Sequence, residues 1–282
     1  MILFKKTGQL TTHLAGIRSK GLSIGFVPTM GALHEGHLSL LQASKKGNAF
    51  TVVSIFVNPT QFNNLSDFNK YPVVIEKDIA MLEAAGCDIL FLPSVEEVYP
   101  NGTTGLEQYD LGYLESVLEG KYRPGHFQGV CRVMHRLLNM VAPDNLYMGQ
   151  KDYQQCMVVN RLLQITQSTI QLYTCPTLRE PDGLAMSSRN LRLTPTERAN
   201  AVAISKVLLM IKENLQPGSL ESLKTKGIAI LEQHDFKVDY VEIADAVTLE
   251  LVNTWDGKQK LVALAAAFQH EVRLIDNIVL SI

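Results

Sequence analysis

Short apolar runs alternate along the first two thirds of the chain with segments in which apolar residues recur every three or four positions. The run Thr-Val-Val-Ser-Ile-Phe-Val at 51–57 is typical of a strand buried on both faces of a parallel sheet. The segments with the longer period are typical of amphipathic helices. A short strand and a polar helix are predicted within residues 1–20. After these we expect strands at 22–27, 51–57, 88–92, 145–148 and 170–174, and helices at 37–46, 74–85, 129–141 and 153–164.

This alternation predicts an α/β fold, a Rossmann-like parallel sheet with crossover helices. From residue 180 the pattern changes, and runs of helices followed by strands predict a smaller C-terminal α+β domain. The predicted domains are 1–178 and 179–282, with a hinge near 176–185. In the second domain we expect helices at 195–214 and 219–233 and strands at 238–243, 261–267 and 277–280.

Residues 28–37, Pro-Thr-Met-Gly-Ala-Leu-His-Glu-Gly-His, join the first buried strand to the first amphipathic helix. Such a loop would direct backbone N–H groups and the positive end of a helix dipole at an anion such as a triphosphate. His34 and His37 are three residues apart, so we expect their rings to face one side and to donate to phosphate oxygens. Neither a Walker A loop nor a dinucleotide fingerprint occurs here. Alternatively, the two histidines only cap the helix.

Polar loops follow three of the later predicted strands, at 58–62, 149–152 and 175–179. Because parallel strands end at one edge of a sheet, where ligands bind, we expect these loops to form one cleft. Lys151 supplies a mobile cation, and Gln155 lies one helical turn further on. Gln61 offers an uncharged amide suited to hydroxyl and carboxylate groups.

The tetrapeptide Met-Ser-Ser-Arg at 186–189 places two hydroxyls and a guanidinium on a loop after the last parallel strand. Such a loop can close over a triphosphate and exclude water. Taken alone, it is more typical of a serine-rich linker between domains, whereas together with the stretch at 28–37 it favours the functional interpretation.

Several other polar residues have structural interpretations. Asn58 is expected to brace its own loop, and Asp152 and Gln154 are typical of a strand–helix turn. His135 lies among apolar neighbours, which favours a structural role. The basic turn at 123–127 is a candidate for lining the cleft or a dimer seam. Residues 76–78, Glu-Lys-Asp, are predicted to form a solvated helix face, from which Asp78 can approach a magnesium ion only indirectly.

The composition, with 46% hydrophobic and 19% charged residues, is that of a globular protein with a large core. A net charge of −2 argues against a broad nucleic-acid surface. No apolar run reaches the roughly 18 residues that span a bilayer, and the amino terminus has no secretory pattern. We therefore expect a cytoplasmic protein without membrane or nucleic-acid partners. Reduced core thiols are expected at four widely spaced cysteines, Cys87, Cys131, Cys156 and Cys175.

Four motifs occur in order: the stretch at 28–37, Phe-Val-Asn-Pro-Thr-Gln-Phe at 56–62, Lys-Asp-Tyr-Gln-Gln at 151–155, and Asp-Gly-Leu-Ala-Met-Ser-Ser-Arg-Asn at 182–190. The His-Glu-Gly-His step resembles the His-x-Gly-His signature of the nucleotidyltransferase superfamily. Together, the motifs resemble those of the pantothenate synthetase family. The likeness extends to Arg-Leu-Ile-Asp-Asn at 273–277.

The resemblance implies an ATP-dependent ligase that joins pantoate to β-alanine through a pantoyl adenylate and releases AMP and pyrophosphate. It implies that Mg²⁺ accompanies the triphosphate and that the protein is a cytoplasmic homodimer. The domain at 1–178 would bind nucleotide and pantoate, and the domain at 179–282 would act as a lid. No His, Cys or Asp cluster has metal-ligand spacing, so no residue is assigned as a metal ligand.

The resemblance also assigns residues. Gln61 would bind pantoate and β-alanine, and Gln155 would bind pantoate. His37 would donate a proton, and the catalytic group would comprise His37, His34, Lys151, Ser187, Ser188 and Arg189. ATP would contact Met30, Gly31, Ala32, Leu33, His34, Glu35, Gly36, His37, Gly149, Gln150, Lys151, Asp152, Leu178, Met186, Ser187, Ser188 and Arg189.

One residue and two short segments depart from the family pattern. Gln150 stands where glutamate is usual, Tyr-Pro-Val at 71–73 lacks the usual arginine, and 268–271 is atypical. We expect these to alter local contacts rather than the reaction. The alternatives are a cytidylyltransferase-type enzyme and a nucleotide-binding regulator without catalysis. A tRNA-charging enzyme is disfavoured because no basic anticodon-binding appendage is present.

Overall fold

The computed structural model describes residues 1–62 and 68–280. The chain divides into two compact units, which are described separately. The first comprises Met1–Gln150 and Gln154–Pro176, and the second comprises Lys151–Tyr153 and Thr177–Ile282.

A six-stranded sheet forms the centre of the first unit, in the order β1-β4-β3-β2-β5-β6. Every neighbouring pair is parallel, which confirms the predicted Rossmann-like α/β fold. The carboxyl ends of β3, β2, β5 and β6 therefore lie at one edge. The strands are β1 (Ile2–Phe4), β2 (Ile24–Thr29), β3 (Phe50–Ile55), β4 (Ile89–Phe91), β5 (Asn145–Gly149) and β6 (Gln171–Cys175).

Helices cover both faces of this sheet, because successive strand residues belong to different cores. Phe26 and Val52 join the core that includes α1, α6 and α7. Their neighbours Val27 and Val53 join the core that includes α2 and α3. The helices are α1 (Thr7–Arg18), α2 (Glu35–Gly47), α3 (Ile75–Ala84), α4 (Val95–Val98), α5 (Glu119–Tyr122), α6 (His126–Val141) and α7 (Tyr153–Ile165).

The predicted helices and strands of this unit are confirmed, with shifted ends. α2 begins at Glu35 rather than His37, and α6 begins at His126 rather than residue 129. Gly125 adopts a left-handed conformation before α6 (φ +80°), which the periodic pattern does not reveal. The helices α4 and α5 were not predicted, since four residues are too few for a helical period. Short 3₁₀ helices lie at Pro59–Gln61, Gly112–Glu115 and Gln150–Asp152.

The second unit is α+β, as predicted. An antiparallel sheet has the order β11-β10-β8, and its apolar face packs on α8 and α9. A 3₁₀ helix lies at Ser188–Arg192. The other elements are α8 (Pro195–Glu213), α9 (Glu221–Glu232), β7 (Gly218–Ser219), β8 (Phe236–Asp245), β9 (Thr254–Trp255), β10 (Leu261–Gln269) and β11 (Val272–Leu280).

The start of β11 differs from the prediction. The strand expected at 277–280 begins at Val272, which pairs with Gln269 across a tight hairpin. Arg273, Asp276 and Asn277 interrupt the apolar pattern, so the sequence shows only the last part of the strand.

The cysteines are reduced thiols, as predicted. Cys87, Cys131 and Cys156 are buried, and Cys175 is half-buried. Among the helices of the described ranges, none combines the length and apolar character needed to cross a membrane.

Candidate active site

The loop between β2 and α2 contains two successive residues in the left-handed region, Gly31 (φ +82°) and Ala32 (φ +49°). A Cβ at Gly31 would lie 3.0 Å from Asp78 Oδ2 and 3.1 Å from Ile55 Cγ2. The backbone conformation therefore favours glycine at this position, and a larger side chain would also have to displace Asp78 or Ile55 slightly.

The carboxylate of Asp78 holds this turn. It is fully buried and accepts N–H bonds from Ala32 (2.8 Å) and Leu33 (2.7 Å). Burial raises the pKa of Asp78, and the two N–H bonds oppose that rise. The prediction of a solvated face was wrong for Asp78. The available signal was its spacing, because it lies between Ile75 and Leu82 on the apolar stripe of α3.

The expectation that the loop amides are directed at an anion was wrong for most of the loop. The left-handed turn directs two amides at Asp78, and the histidine side chains and neighbouring oxygens accept the others. Amides with an acceptor inside the protein are those of Gly31, Ala32, Leu33, His34, Gly36 and His37.

His34 and His37 form a reciprocal cap at the start of α2. His34 is the N-cap residue, and its Nδ1 accepts the Gly36 N–H at 3.2 Å. The Nδ1 of His37 accepts the His34 N–H at 3.3 Å, and the ring centroids are 4.1 Å apart. Because each Nδ1 is an acceptor, the neutral rings carry their protons on Nε2. Both histidines therefore cap the helix through Nδ1, and their Nε2–H groups lie on adjacent rings.

Gln61 lies in the 3₁₀ helix that follows β3. Its Oε1 accepts from Asn58 Nδ2 at 3.0 Å, and its Nε2 donates to Met30 Sδ at 2.9 Å. Asn58 also donates to the Gly129 carbonyl at 3.1 Å, so its predicted bracing role is confirmed. The contact between Gln61 and Met30 joins the loops after β2 and β3.

The first turn of α6 packs directly on this 3₁₀ helix. A Cβ at Gly129 would lie 2.2 Å from the Thr60 carbonyl oxygen, so only glycine allows the approach. His126 Nδ1 lies 2.8 Å from the Gln61 carbonyl oxygen. Sequence reasoning missed Gly129, because a glycine inside a helix does not reveal what packs against it.

Two polar residues have the structural contacts expected of them. His135 Nδ1 lies 2.7 Å from the Tyr109 hydroxyl. Gln154 is buried, accepts the Glu119 N–H and donates to the Leu114 carbonyl. Both bind segments of the first unit to each other.

Gly149 ends β5, the strand beside β2, and so lies at the same edge as the loop after β2. A Cβ here would meet no described atom within 4 Å. The described protein atoms therefore do not require glycine at this position. Gln155 is half-buried on α7, and Gln150 begins the short 3₁₀ helix after β5.

Lys151 and Asp152 belong to the second unit. Asn277 of β11 donates from Nδ2 to the Lys151 carbonyl at 2.8 Å. Lys151 Nζ lies 4.0 Å from Asp152 Oδ2. The backbone at Lys151 is thus held by β11, a contact that the sequence did not predict.

An ion pair between half-buried Arg179 and buried Asp276 holds the backbone that precedes the Met-Ser-Ser-Arg segment. Arg179 Nη1 and Nη2 donate to Asp276 at 2.6 and 3.0 Å, and Arg179 also donates to the Gly183 carbonyl. Burial raises the pKa of Asp276, and the Arg179 guanidinium opposes that rise. A β-bridge between Arg179 and Ala185 completes a tight loop.

This loop leads into an ordered turn. The Met186 N–H donates to the Leu178 carbonyl at 3.0 Å. Ser187 Oγ accepts the Arg189 N–H at 3.3 Å and caps the 3₁₀ helix, whose first residue, Ser188, is buried. The segment is therefore a defined structural motif rather than a featureless linker.

Residues 2–279 match the family model described as pantoate-beta-alanine ligase. The chain belongs to the pantoate-beta-alanine ligase family. A relative named pantothenate synthetase from Cytophaga hutchinsonii is 44% identical over 283 residues, which cover 99% of each chain. One of the same name from Bacteroides thetaiotaomicron is 42% identical, covering 96% of this chain and 95% of the relative.

Solved structures of this ligase family have the same fold. Pantothenate synthetase from Thermus thermophilus superposes with a TM-score of 0.91 at 39% identity, with both chains fully covered. Pantoate-beta-alanine ligase from Francisella tularensis, complexed with beta-gamma ATP and beta-alanine, has a TM-score of 0.83 at 37% identity, covering 99% of this chain and 97% of the other. The protein described here is thus an enzyme of the ligase class.

Proposed function

We propose that the protein condenses (R)-pantoate with β-alanine to pantothenate, using ATP, through a pantoyl adenylate, with release of AMP and pyrophosphate. Family membership supports this reaction. At the level of residues, the proposal depends most on the contact of Gln61 with Met30. This contact joins the candidate nucleotide loop to the candidate binding residue for pantoate.

In the first step, a pantoate carboxylate oxygen attacks the α-phosphorus of ATP, and the bond to the bridging oxygen of the β-phosphate breaks. We propose that ATP contacts residues 30–37 and 149–152, Leu178, and residues 186–189. Negative charge grows on the departing pyrophosphate. The paired Nε2–H donors of His34 and His37 are suited to offset it, with Lys151, Ser187, Ser188 and Arg189.

In the second step, the β-alanine amine attacks the acyl carbon, the bond to the AMP oxygen breaks, and the amine loses a proton. We propose that Gln61 binds pantoate and β-alanine and that Gln155 binds pantoate. His37 is proposed as the proton donor to a leaving phosphate oxygen. It would donate from its imidazolium form, in which Nδ1 carries a proton instead of accepting the His34 N–H, and the proton lost by the amine would restore that form. Because water destroys an acyl adenylate, the turn at 186–189 would also exclude water, which is the role proposed for the domain at 179–282.

Mg²⁺ enters this proposal as part of the substrate MgATP. Asp78 uses both carboxylate oxygens to hold Ala32 and Leu33, which does not fit a metal ligand. Within residues 1–62 and 68–280, no group of three His, Cys, Asp or Glu side chains is placed to hold an ion. Phosphate and water oxygens are therefore the proposed ligands of Mg²⁺. A homodimer in the cytoplasm remains the expectation for the assembled enzyme.

The cysteines support direct transfer of the acyl group. Burial raises the pKa of Cys87 to about 11 and that of Cys131 to about 12. Both thiols are protonated at neutral pH and are poor nucleophiles. A thioester intermediate at either position is therefore disfavoured.

The test is exchange of labelled pyrophosphate into ATP. The proposal expects exchange that requires pantoate, and AMP release that requires β-alanine in addition. Exchange into CTP without pantoate would instead support a cytidylyltransferase. ATP binding without any exchange would support a regulator. Either result would overturn the proposal.

A further inference from the structure

His126 is a buried histidine for which the proposed reaction has no role. It is the first residue of α6 and is 5% exposed. Its Nδ1 lies 2.8 Å from the Gln61 carbonyl oxygen, and its Nε2 lies 3.0 Å from Arg123 Nη1. Arg123 in turn lies 3.6 Å from the Glu119 carboxylate.

These two neighbours determine where the imidazole proton lies. A carbonyl oxygen only accepts hydrogen bonds, so Nδ1 must carry a hydrogen. A guanidinium only donates, so Nε2 must present its lone pair to Arg123. A second proton on Nε2 would point at an N–H donor. The ring is therefore neutral and in the Nδ1–H form, the opposite tautomer to that of His34 and His37.

The backbone around Gln61 depends on α6 for its position. The 3₁₀ helix Pro59–Gln61 has three residues, too few to hold itself in place. Gly129 provides close packing, since a Cβ there would lie 2.6 Å from Gln61 Cα. Packing against a glycine fixes distance but not rotation about the contact. Asn58 bonds to both segments through its side chain, and the hydrogen bond from His126 adds a directional constraint at the Gln61 carbonyl itself.

We propose that His126, held as the neutral Nδ1–H tautomer between Gln61 and Arg123, is a positioning residue that orients the Gln61 amide toward pantoate and β-alanine. The role for substrates rests on the function proposed above, whereas the tautomer rests on the hydrogen bonds alone. His126 acts through the backbone of Gln61. Loss of its bond therefore weakens binding of the acid and the amine more than binding of ATP.

Two substitutions distinguish the hydrogen bond made by Nδ1 from the contact made by Nε2. In His126→Asn, the amide nitrogen can take the place of Nδ1 and donate to the Gln61 carbonyl. In His126→Gln, the amide extends to the place of Nε2 and faces Arg123, leaving the Gln61 carbonyl without this donor. His135→Asn is the control, since His135 lies on the same helix but contacts Tyr109.

The expected result is a difference in KM. His126→Gln should raise KM for pantoate on the order of tenfold and leave KM for ATP within about twofold, as loss of one buried hydrogen bond predicts. His126→Asn should keep KM for pantoate close to that of the unsubstituted protein. Equal KM values for His126→Asn and His126→Gln, or an equal rise in KM for ATP, would overturn the positioning role. Circular dichroism melting confirms that each variant is folded.

Nitrogen-15 NMR of histidine-labelled, unsubstituted protein tests the tautomer without any assay of activity. A protonated Nδ1 and an unprotonated Nε2 at His126 are expected. An Nε2–H or doubly protonated ring would overturn the inference even if the enzyme turns over as proposed. Conversely, lack of pantoate-dependent exchange in the unsubstituted protein would overturn the proposed function and the substrate role, and the NMR signal would still decide the tautomer.

Discussion

The loop at 28–37 and the segment at 179–190 are each held by one buried aspartate, but the two carboxylates have different partners. Asp78 is bound by two backbone N–H groups of the loop that it supports. Asp276 is bound by both terminal nitrogens of the Arg179 guanidinium. The first region is thus stabilised by dipoles and the second by a full opposite charge.

This difference determines what each region tolerates. The N–H partners of Asp78 are backbone groups, so no substitution at Ala32 or Leu33 other than proline removes them. The partner of Asp276 is a side chain, so one substitution leaves a buried carboxylate without its cation. Burial raises the pKa of both carboxyls, and only at Asp276 does a guanidinium oppose the rise. We therefore expect the second region to be the more sensitive to loss of its partner.

The largest expected effect is on stability, in Arg179→Met. Loss of the cation should lower the free energy of unfolding of the second unit by about 3 kcal/mol, because a buried carboxylate is left unpaired. Without Arg179, the folded pKa of Asp276 lies above the unfolded value. The folded state then binds the proton more tightly, so the loss should be small below pH about 4 and should grow as pH rises through the folded pKa.

Urea unfolding at several pH values measures this loss. Lys212→Met, at an exposed position of α8, is the matched control. A loss in Arg179→Met no greater than in the control would show that the ion pair contributes little, and the contrast between the two regions would disappear.

The next largest effect is on the reaction, in His37→Ala. Removing an Nε2–H donor from the developing phosphate charge should slow pantoate-dependent pyrophosphate exchange by ~10²-fold or more. His13→Ala, on α1, is the control. The protein should remain folded, because only one capping acceptor is lost. An unchanged exchange rate would remove His37 from the mechanism.

A smaller effect is expected from Asp78→Asn. The single amide oxygen can accept only one of the two N–H groups, and the amide nitrogen faces the other. Relief of the buried charge offsets part of this loss, so the free energy of unfolding should fall by about 1 kcal/mol. KM for ATP should rise while KM for β-alanine does not. Glu76→Gln, on the exposed face of α3, is the control, and equal KM values for ATP in the two variants would argue against the bracing role of Asp78.

The smallest effect on the free energy of unfolding is expected at the exposed ion pair of Arg198 and Asp182. Arg198 Nη1 lies 2.7 Å from Asp182 Oδ2. The hydrogen bond from Arg198 lowers the pKa of Asp182. The stabilisation is therefore present above the unfolded pKa of about 3.9 and is lost as pH falls through the lowered value. Arg198→Gln should cost under about 0.5 kcal/mol at pH 7, since exposed pairs contribute little. Thermal melts should show the cost shrinking in acid, and a cost that grows in acid would contradict this assignment.

The sequence predicted the helices and strands in which apolar residues recur with a clear period. The run at 51–57 indicated a strand buried on both faces, and the structure places Val52 and Val53 in different cores. The loop at 28–37 was recognised as a strand–helix junction, and Asn58 as a brace. The first and last residues of helices and strands were predicted less accurately. Capping residues such as Gly125 act through a backbone conformation that periodicity does not encode.

By itself, the sequence determined the parallel α/β fold, the α+β character of the C-terminal part and the motifs that resemble one family. Only the tertiary structure decided that Asp78 binds the loop amides, that Gly129 packs on Gln61, and that Arg179 pairs with Asp276. The partners of these residues lie 45 to 97 positions away in the chain. Local periodicity shows which face of an element is buried, whereas the energy of a buried polar group depends on the partner that folding places opposite it.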